Sequence, residues 1–382
     1  MKILFASAPG YGLMMPLVPL VWAAQAAGHT ARLATTGRMC AVAAGAGLEV
    51  VDVCPDQDLW ARLQAGVGRG PGGGPPVSPF RMFTEEMTPG TVEAAREHGA
   101  DLVVWTSDHG SGELAATTLG LPGLEVGNRV SWSTRDQGGP GSDISGVAAV
   151  RTQLGLDGTP LHIVARVDPR APSMGGLVDD EPDPRDGVPW WSMRYVPFNG
   201  GAVVEPWARQ TPARPRVLVT LGTVVPTVAG TDVVSVLLAA LADLPVEVVL
   251  ALGDASLPKG TELPSNVRAV GYLPLSAVLP TCRLIVHHGG SGTTAAPLHF
   301  GVPQLVLPAF ADNPLSAKRV SDRGVGLAHD PTTLDVETAR ELVLRLLEEP
   351  AFTTAAAEVA AEMATQPSPA AVVARVEEEL AR

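Results

Sequence analysis

Three features of the chain predict an α/β fold built from two doubly wound parallel sheets. Short apolar runs alternate with helix-like stretches through both halves. Glycine-rich turns follow the run that opens the chain and a run near residue 287. The alternation breaks off in a proline- and glycine-rich stretch and restarts after residue 215. Alternation of this kind implies βαβ units, because parallel strands need helical crossovers. A chain of 382 residues also makes two domains the expected number, with material for two cores.

The elements follow in order. "KILFASA" (2–8) reads as a strand, "MPLVPLVWAAQAAG" (15–28) as a helix and "HTARLAT" (29–35) as the next strand. "RMCAVAAGAG" is a short helix ended by glycine, and "LEVVDVC" a third strand. "GVGRGPGGGPPVSP" (66–79) holds no regular element and reads as a loop. A helix is expected over Thr84–His98, then the strand "DLVVWTS" (101–107), the helix "GSGELAATTLG" and a loop at "DQGGPGSD" (136–143). The span 168–189 is rich in Asp, Pro and Gly, and 194–215 reads as a linker. In the second half the strands are "RVLVTLGT", "VEVVLALG", "VRAVGYLP", "RLIVHH", "PQLVLPA" and "GVGLAH". Helices are expected near 232–242 and 314–323, over 336–348 and 352–363, and after "PSP" (367–369).

Composition narrows the function. There are 27 basic residues against 40 acidic ones, a net charge of −13, which argues against nucleic acid and anionic membranes as general partners. Three cysteines (Cys40, Cys54, Cys282) with no CxxC pair indicate neither a disulfide framework nor a zinc site. The sequence opens on a strand and contains no apolar run of membrane-spanning length, so a soluble, cytoplasmic protein is expected.

The strongest motif is "HHGGSGTT" (287–294), which follows "RLIV" and opens a helix-like stretch. Glycines permit close approach of backbone to ligand, and N–H groups at a helix start form an anion cradle. Hydroxyls of Ser291, Thr293 and Thr294 and a ring N–H of His288 would add donors. A tight strand–helix turn with a satisfied histidine is the alternative for this segment alone. "VGYLPL" precedes it, and "GVPQLVLPAFADN" follows one helix later.

Taken together, these segments resemble the donor half of a GT-B glycosyltransferase: two doubly wound, Rossmann-like domains facing across a cleft. The likeness is to the actinobacterial branch that decorates antibiotics with nucleotide-activated deoxysugars, including the calicheamicin glycosyltransferases. It extends over nearly the whole chain, through "MKILFASAPG", "RYVPFNGGA" and "VLVTLGT". It implies an acceptor-binding domain over 1–205, a donor-binding domain over 206–365 and a final helix, 366–382, that crosses back to the first domain. The family's H-x-G-x-G-T falls on His288, Gly290, Gly292 and Thr293, with Ser291 between, as holders of the donor diphosphate. Gly222 and Thr223 would lie near the phosphates, Tyr272 would stack on the nucleobase and Leu273 would read its edge. Asp312 and Asn313 would bond sugar hydroxyls. No cofactor and no metal is implied. The co-substrate is a TDP-deoxysugar, and the partners are that donor and a small apolar aglycone of polyketide or enediyne type, leaving a homodimer open.

One position departs from the family pattern. Its turn after the first strand often carries a histidine base, and this chain has Pro9, Gly10, Tyr11, Gly12 and then Leu13. An acceptor alcohol gains ~10²–10⁴ in rate from a positioned base. Asp108 and His109, after the strand 101–107, are the replacement candidates; the alternative is that Asp108 caps the next helix and His109 is exposed. Glu113, Asp136 and Tyr11 are weaker candidates. Leu13, Met14 and Met15 would line an apolar acceptor pocket with some of Trp60, Phe80, Met82 and Phe83, or simply pack in the core. The departure motivates a second reading, a sugar-nucleotide-binding auxiliary protein; a nucleotide-sugar epimerase on the same architecture is a third, but it needs paired acid/base residues around the sugar, and no such set is evident in the sequence.

Overall fold

The computed structural model describes residues 1–64, 78–136, 145–222, 232–253, 262–309 and 312–382. The expected loops at 66–79 and 136–143 lie almost wholly outside those residues, and so does Thr223. The chain divides into two compact units. The first comprises Met1–Arg170, Gly176–Arg194 and Gln366–Arg382; the second comprises Ala171–Gly175 and Tyr195–Thr365.

The first unit holds an eight-stranded sheet. Its strands are β1 (Lys2–Ala6), β2 (Thr30–Thr35), β3 (Glu49–Asp52), β4 (Leu102–Thr106), β5 (Gly123–Val126), β6 (Ile163–Asp168), β7 (Glu181–Pro182) and β8 (Pro189–Ser192), in the order 3-2-1-4-5-6-8-7. All neighbours run parallel except β7 on β8. Strands covered by helices on both faces carry continuous apolar runs, and all five residues of β4 are buried. Strand order reverses between β1 and β4. That switch point opens a crevice beyond the strands' C-terminal ends, where ligands of such sheets bind.

Local chemistry corrects several element boundaries. The helix expected over 15–28 begins earlier and is broken in three: α1 (Tyr11–Met14), a 3₁₀ turn (Met15–Leu17) and α2 (Val18–Ala26). Pro16 and Pro19 lack the N–H that a continuous helix requires, so each opens a new piece. After β2 comes α3 (Arg38–Gly45), and after β3 comes α4 (Leu59–Gln64). The next helix, α5, spans Pro79–His98 rather than starting at Thr84, because Ser78 caps it by accepting the Phe80 N–H (3.3 Å) and Pro79 takes the first helical position. After β4 comes α6 (Ser111–Leu119). The acidic, proline-rich span before 189 contributes β7 and leads into β8. There Trp190 and Trp191 are buried and Trp190 Nε1 donates to Asp183 (2.9 Å). The helix Pro369–Leu380 packs against α2.

The second unit holds a six-stranded parallel sheet: β9 (Arg216–Thr220), β10 (Glu247–Ala251), β11 (Val267–Val270), β12 (Cys282–His287), β13 (Gln304–Val306) and β14 (Gly326–Ala328), in the order 11-10-9-12-13-14. Its switch point falls between β9 and β12, so the segments after Thr220 and His287 flank the crevice. Among the described residues, no helix is long and apolar enough to cross a membrane.

Candidate active site

At the second sheet's switch point, β12 ends in His287, His288 follows it, and Gly289 turns the chain with φ +87° into the helix Ser291–Phe300. His287 locks this turn. The Gly289 N–H donates to its Nδ1 (3.0 Å), so Nδ1 is unprotonated and Nε2 carries the hydrogen, which it donates to Gln304 Oε1 (2.8 Å). Gln304 Nε2 in turn donates to the Thr294 carbonyl (3.3 Å). Burial pushes the His287 ring down to about 3, so it is neutral. The turn is therefore held from beneath by a buried, fully oriented side-chain pair on two adjacent strands.

His288 lies on the crevice side. A Cβ added at Gly222 would come within 2.5 Å of its Cε1, and one at Gly290 within 2.4 Å of its Nε2. The imidazole is thus sandwiched where only glycine fits, and Gly222 also needs its φ of +69°. Burial pushes the ring down to about 4, with Asp312 opposing weakly, so at neutral pH it carries one N–H and no charge. Its Nδ1 is buried with no partner among the described residues. The Thr294 N–H makes the first helical bond, to the Gly290 carbonyl (2.8 Å), which leaves the N–H groups of residues 291–293 ahead of the helical ladder. Together these groups form a donor-lined helix N-terminus suited to a phosphate.

The remaining candidates of this unit are less uniform. The Thr294 hydroxyl donates to the Gly290 carbonyl (3.0 Å) and is buried, so it does not join the cradle as expected. A Cβ at Gly292 would meet nothing within 4 Å. Tyr272 is 39 % exposed and its hydroxyl donates to the Asn199 carbonyl (2.5 Å), beneath which Gly200 leaves no room for a side chain. Leu273 packs partly into the core. Asp312 occupies the N-cap position of the helix Asn313–Arg323 without capping it through its side chain, and Asn313 is buried with Nδ2 lacking a partner among the described residues.

In the first unit, Leu13 sits on α1 and packs half-buried against a core cluster, together with Trp60 and Phe80. Met14, Met15, Met82 and Phe83 are core residues, 0–6 % exposed. Asp108 and His109 follow β4, at 0 % and 1 % exposure. The structural alternative for them does not hold: Gly110, not Asp108, occupies the cap position of α6, with no side-chain cap, and His109 is buried. Asp108 Oδ2 accepts from Asn128 Nδ2 (3.0 Å) and from Nε (3.2 Å) and Nη2 (2.9 Å) of Arg129, whose guanidinium lies over Phe80 and Trp132. His109 Nε2 bonds Ser111 Oγ (2.5 Å), and burial pushes the ring down to about 4. Of the weaker candidates, Asp136 accepts from the buried Arg170 (2.8 Å) and Glu113 lies 3.8 Å from Arg151.

Comparison with known proteins agrees with this geometry. Residues 74–222 match the family model of the erythromycin biosynthesis protein CIII-like N-terminal domain, and residues 235–379 that of its C-terminal domain. The chain belongs to the EryCIII-like glycosyltransferases. It is 35 % identical to the elloramycin glycosyltransferase of Streptomyces olivaceus, over 98 % of this chain and 97 % of that one. It is 32 % identical to the aclacinomycin-T 2-deoxy-L-fucose transferase of Streptomyces galilaeus, over 99 % and 96 %. The crystal structure of the glycosyltransferase SsfS6 of Streptomyces sp. SF2575, complexed with thymidine diphosphate, superposes with a TM-score of 0.81 at 30 % identity over 99 % of both chains. The two parallel Rossmann-like sheets are thus those of the GT-B fold.

Within this EryCIII-like chain, sequence reading singled out the residues facing the helix start but not those behind it. His287 and Gln304 were visible only as strand residues. The doublet "HH" at a strand end was the available signal, since consecutive strand residues point to opposite faces. Asn128 and Arg129 carried no signal, because they meet Asp108 from the end of the neighbouring strand β5, some twenty residues away in the chain.

Proposed function

We propose that this chain moves a deoxysugar from a TDP-activated donor to an apolar natural-product aglycone, with inversion at the anomeric carbon and without a metal ion. The observation that carries the reading is the neutral His288, clamped between Gly222 and Gly290 at the N-terminus of the helix Ser291–Phe300. Backbone dipoles and one imidazole N–H would take up the charge that develops on the leaving diphosphate, at the place where a preorganised donor is most effective. Ser291, Gly292 and Thr293 would supply the remaining phosphate contacts, Thr223 would add a hydroxyl, Tyr272 and Leu273 would hold the base, and Asp312 with Asn313 would bond the sugar. The bound thymidine diphosphate of the SsfS6 structure and the 2-deoxy-L-fucose in the name of the galilaeus transferase support this donor class. We assign the donor to the second unit and a polyketide- or enediyne-type acceptor to the first.

Leu13 supports a second reading, a sugar-nucleotide-binding auxiliary protein with little turnover. Asp108 and His109 are buried, so in our reading Asp108 holds the Asn128–Arg129 segment and His109 anchors Ser111, and the acidity of the acceptor supplies the nucleophile. Calorimetry with thymidine and uridine diphosphates, with and without EDTA, tests the donor site. We expect binding of thymidine diphosphate that persists in EDTA and weakens in His288→Ala. Absence of binding by the wild-type protein overturns both readings; binding without transfer to any acceptor favours the second.

A further inference from the structure

We propose that the second unit carries an accessory site for a small phosphate monoester, held by Arg214 and Arg268 at the end of the sheet away from the diphosphate cradle. The proposal does not depend on the glycosyltransferase reading. A groove of about 450 Å³ is lined by residues 213–214, 246–247 and 265–268. These stretches lead into β9, β10 and β11, three neighbouring parallel strands, at their N-terminal ends. His287 and the turn after it lie at the C-terminal end of the same sheet, so the groove is a separate place. Its volume falls within the ~300–1,000 Å³ of small-molecule sites. A lone phosphate would leave most of it empty, so the anion belongs on a larger body.

The charge of the groove is positive. Glu247 is the carboxylate among its lining residues, and the buried Arg216 neutralises it, with Nε at 3.2 Å and Nη2 at 3.1 Å. Arg214 and Arg268 are exposed, and neither has a carboxylate partner among the described residues. Two uncompensated guanidinium groups thus share one groove on a chain whose net charge is −13. Arg268 lies with its guanidinium 4.9 Å from the Trp207 ring centroid, a stack that limits its motion and leaves its in-plane N–H donors open. The backbone under both is fixed. The Glu247 N–H donates to the carbonyl of Pro215, next to Arg214 (3.0 Å), and Arg268 pairs with Val249 in the β10–β11 ladder. Guanidinium forks on rigid elements suit phosphate oxygens. The exposed Ser265 adds a hydroxyl. At the floor, Asn266 Nδ2 donates to the carbonyls of Leu241 (2.9 Å) and Val246 (3.3 Å). Both partners are acceptors, so the amide orientation is set, and Oδ1 is left enclosed without a donor among the described residues. A hydroxyl carried beside the phosphate would supply that donor. A hydroxylated phosphate monoester, of the sugar phosphate class, therefore fits the groove better than inorganic phosphate.

The test is calorimetry of the full chain with glucose 6-phosphate, in the presence of saturating thymidine diphosphate to fill the cradle at His288. We expect one site, with inorganic phosphate binding there more weakly than glucose 6-phosphate. Arg214→Met and Arg268→Met should each weaken glucose 6-phosphate about tenfold, the loss of one charge-assisted contact. Thymidine diphosphate affinity, expected to match wild type in both variants, verifies that they are folded. No binding of glucose 6-phosphate to wild type, equal affinity in wild type and both variants, or inorganic phosphate binding as tightly as the ester overturns the proposal. If wild type fails to bind thymidine diphosphate, the glycosyltransferase reading falls instead, and the glucose 6-phosphate titration without it still reports on Arg214 and Arg268.

Discussion

Gly290→Ala separates the position of the His288 ring from the integrity of the fold. Gly290 has φ −61° and ψ 146°, a conformation that alanine adopts without strain. The cost is therefore steric: the new Cβ lies 2.4 Å from His288 Nε2. Ordinary contact requires about 3.5 Å, so the ring must retreat by about 1 Å. Overpacking of this kind costs ~1–3 kcal/mol, and alanine at a cap position adds roughly 0.5–1 kcal/mol. For a unit of this size that sum lowers the melting temperature by about 5–15 °C. The functional loss should be larger in proportion, because a misplacement of ~1 Å in a catalytic group is worth about 10²-fold. Differential scanning calorimetry, thymidine diphosphate titration and kcat/KM would be measured together. A Gly290→Ala protein that melts lower yet binds thymidine diphosphate within about twofold of wild type, ~0.4 kcal/mol, would refute the diphosphate role of His288. Gly292→Ala is the companion variant. Its Cβ meets nothing within 4 Å, and alanine is the better helix former by ~1 kcal/mol. It should hold or raise the melting temperature while lowering thymidine diphosphate affinity, since only the ligand would occupy that space.

Gln304→Leu removes the bonds of Gln304 to the His287 ring and to the Thr294 carbonyl and leaves the His287 Nε2 hydrogen buried without that acceptor. About 2–4 kcal/mol of stability should be lost, with weaker thymidine diphosphate binding, measurable by denaturant titration and calorimetry. Asp108→Asn leaves the guanidinium of Arg129 buried without its carboxylate. Stability should fall by ~3 kcal/mol or more in chemical denaturation, alongside any loss of activity; activity lost at unchanged stability would instead favour Asp108 as a base. His109, His287 and His288 are all held below their ordinary range by burial, to about 4, 3 and 4. The unfolded chain therefore binds more protons between pH ~6.5 and 4, so stability is complete above pH ~6.5 and falls as pH drops through that window. Melting temperature against pH should be flat above neutrality with respect to these groups, and His109→Gln should shallow the acid limb.

What the sequence determined by itself was the alternation, and with it the two sheets and their switch points. Apolar runs such as "KILFA" and "RLIV" need cover on both faces, and glycine-rich turns after β1 and β12 advertise a close backbone approach. The motif around His288 was legible because its residues are contiguous and their order carries meaning. The three-piece helix entry at Tyr11 was less so, because three prolines in and around one apolar stretch admit several break points. Only the tertiary structure decided which side chains face inward. It put Met14, Met15, Met82 and Phe83 into the core, where helical spacing alone could not distinguish a pocket wall from packing. It paired Asp108 with Arg129, His287 with Gln304 and Arg38 with Tyr11 and Trp60. Each of these partners comes from a different strand or strand end. Their meeting is fixed by sheet order and register, which follow from the burial of the whole chain and not from any local stretch of it.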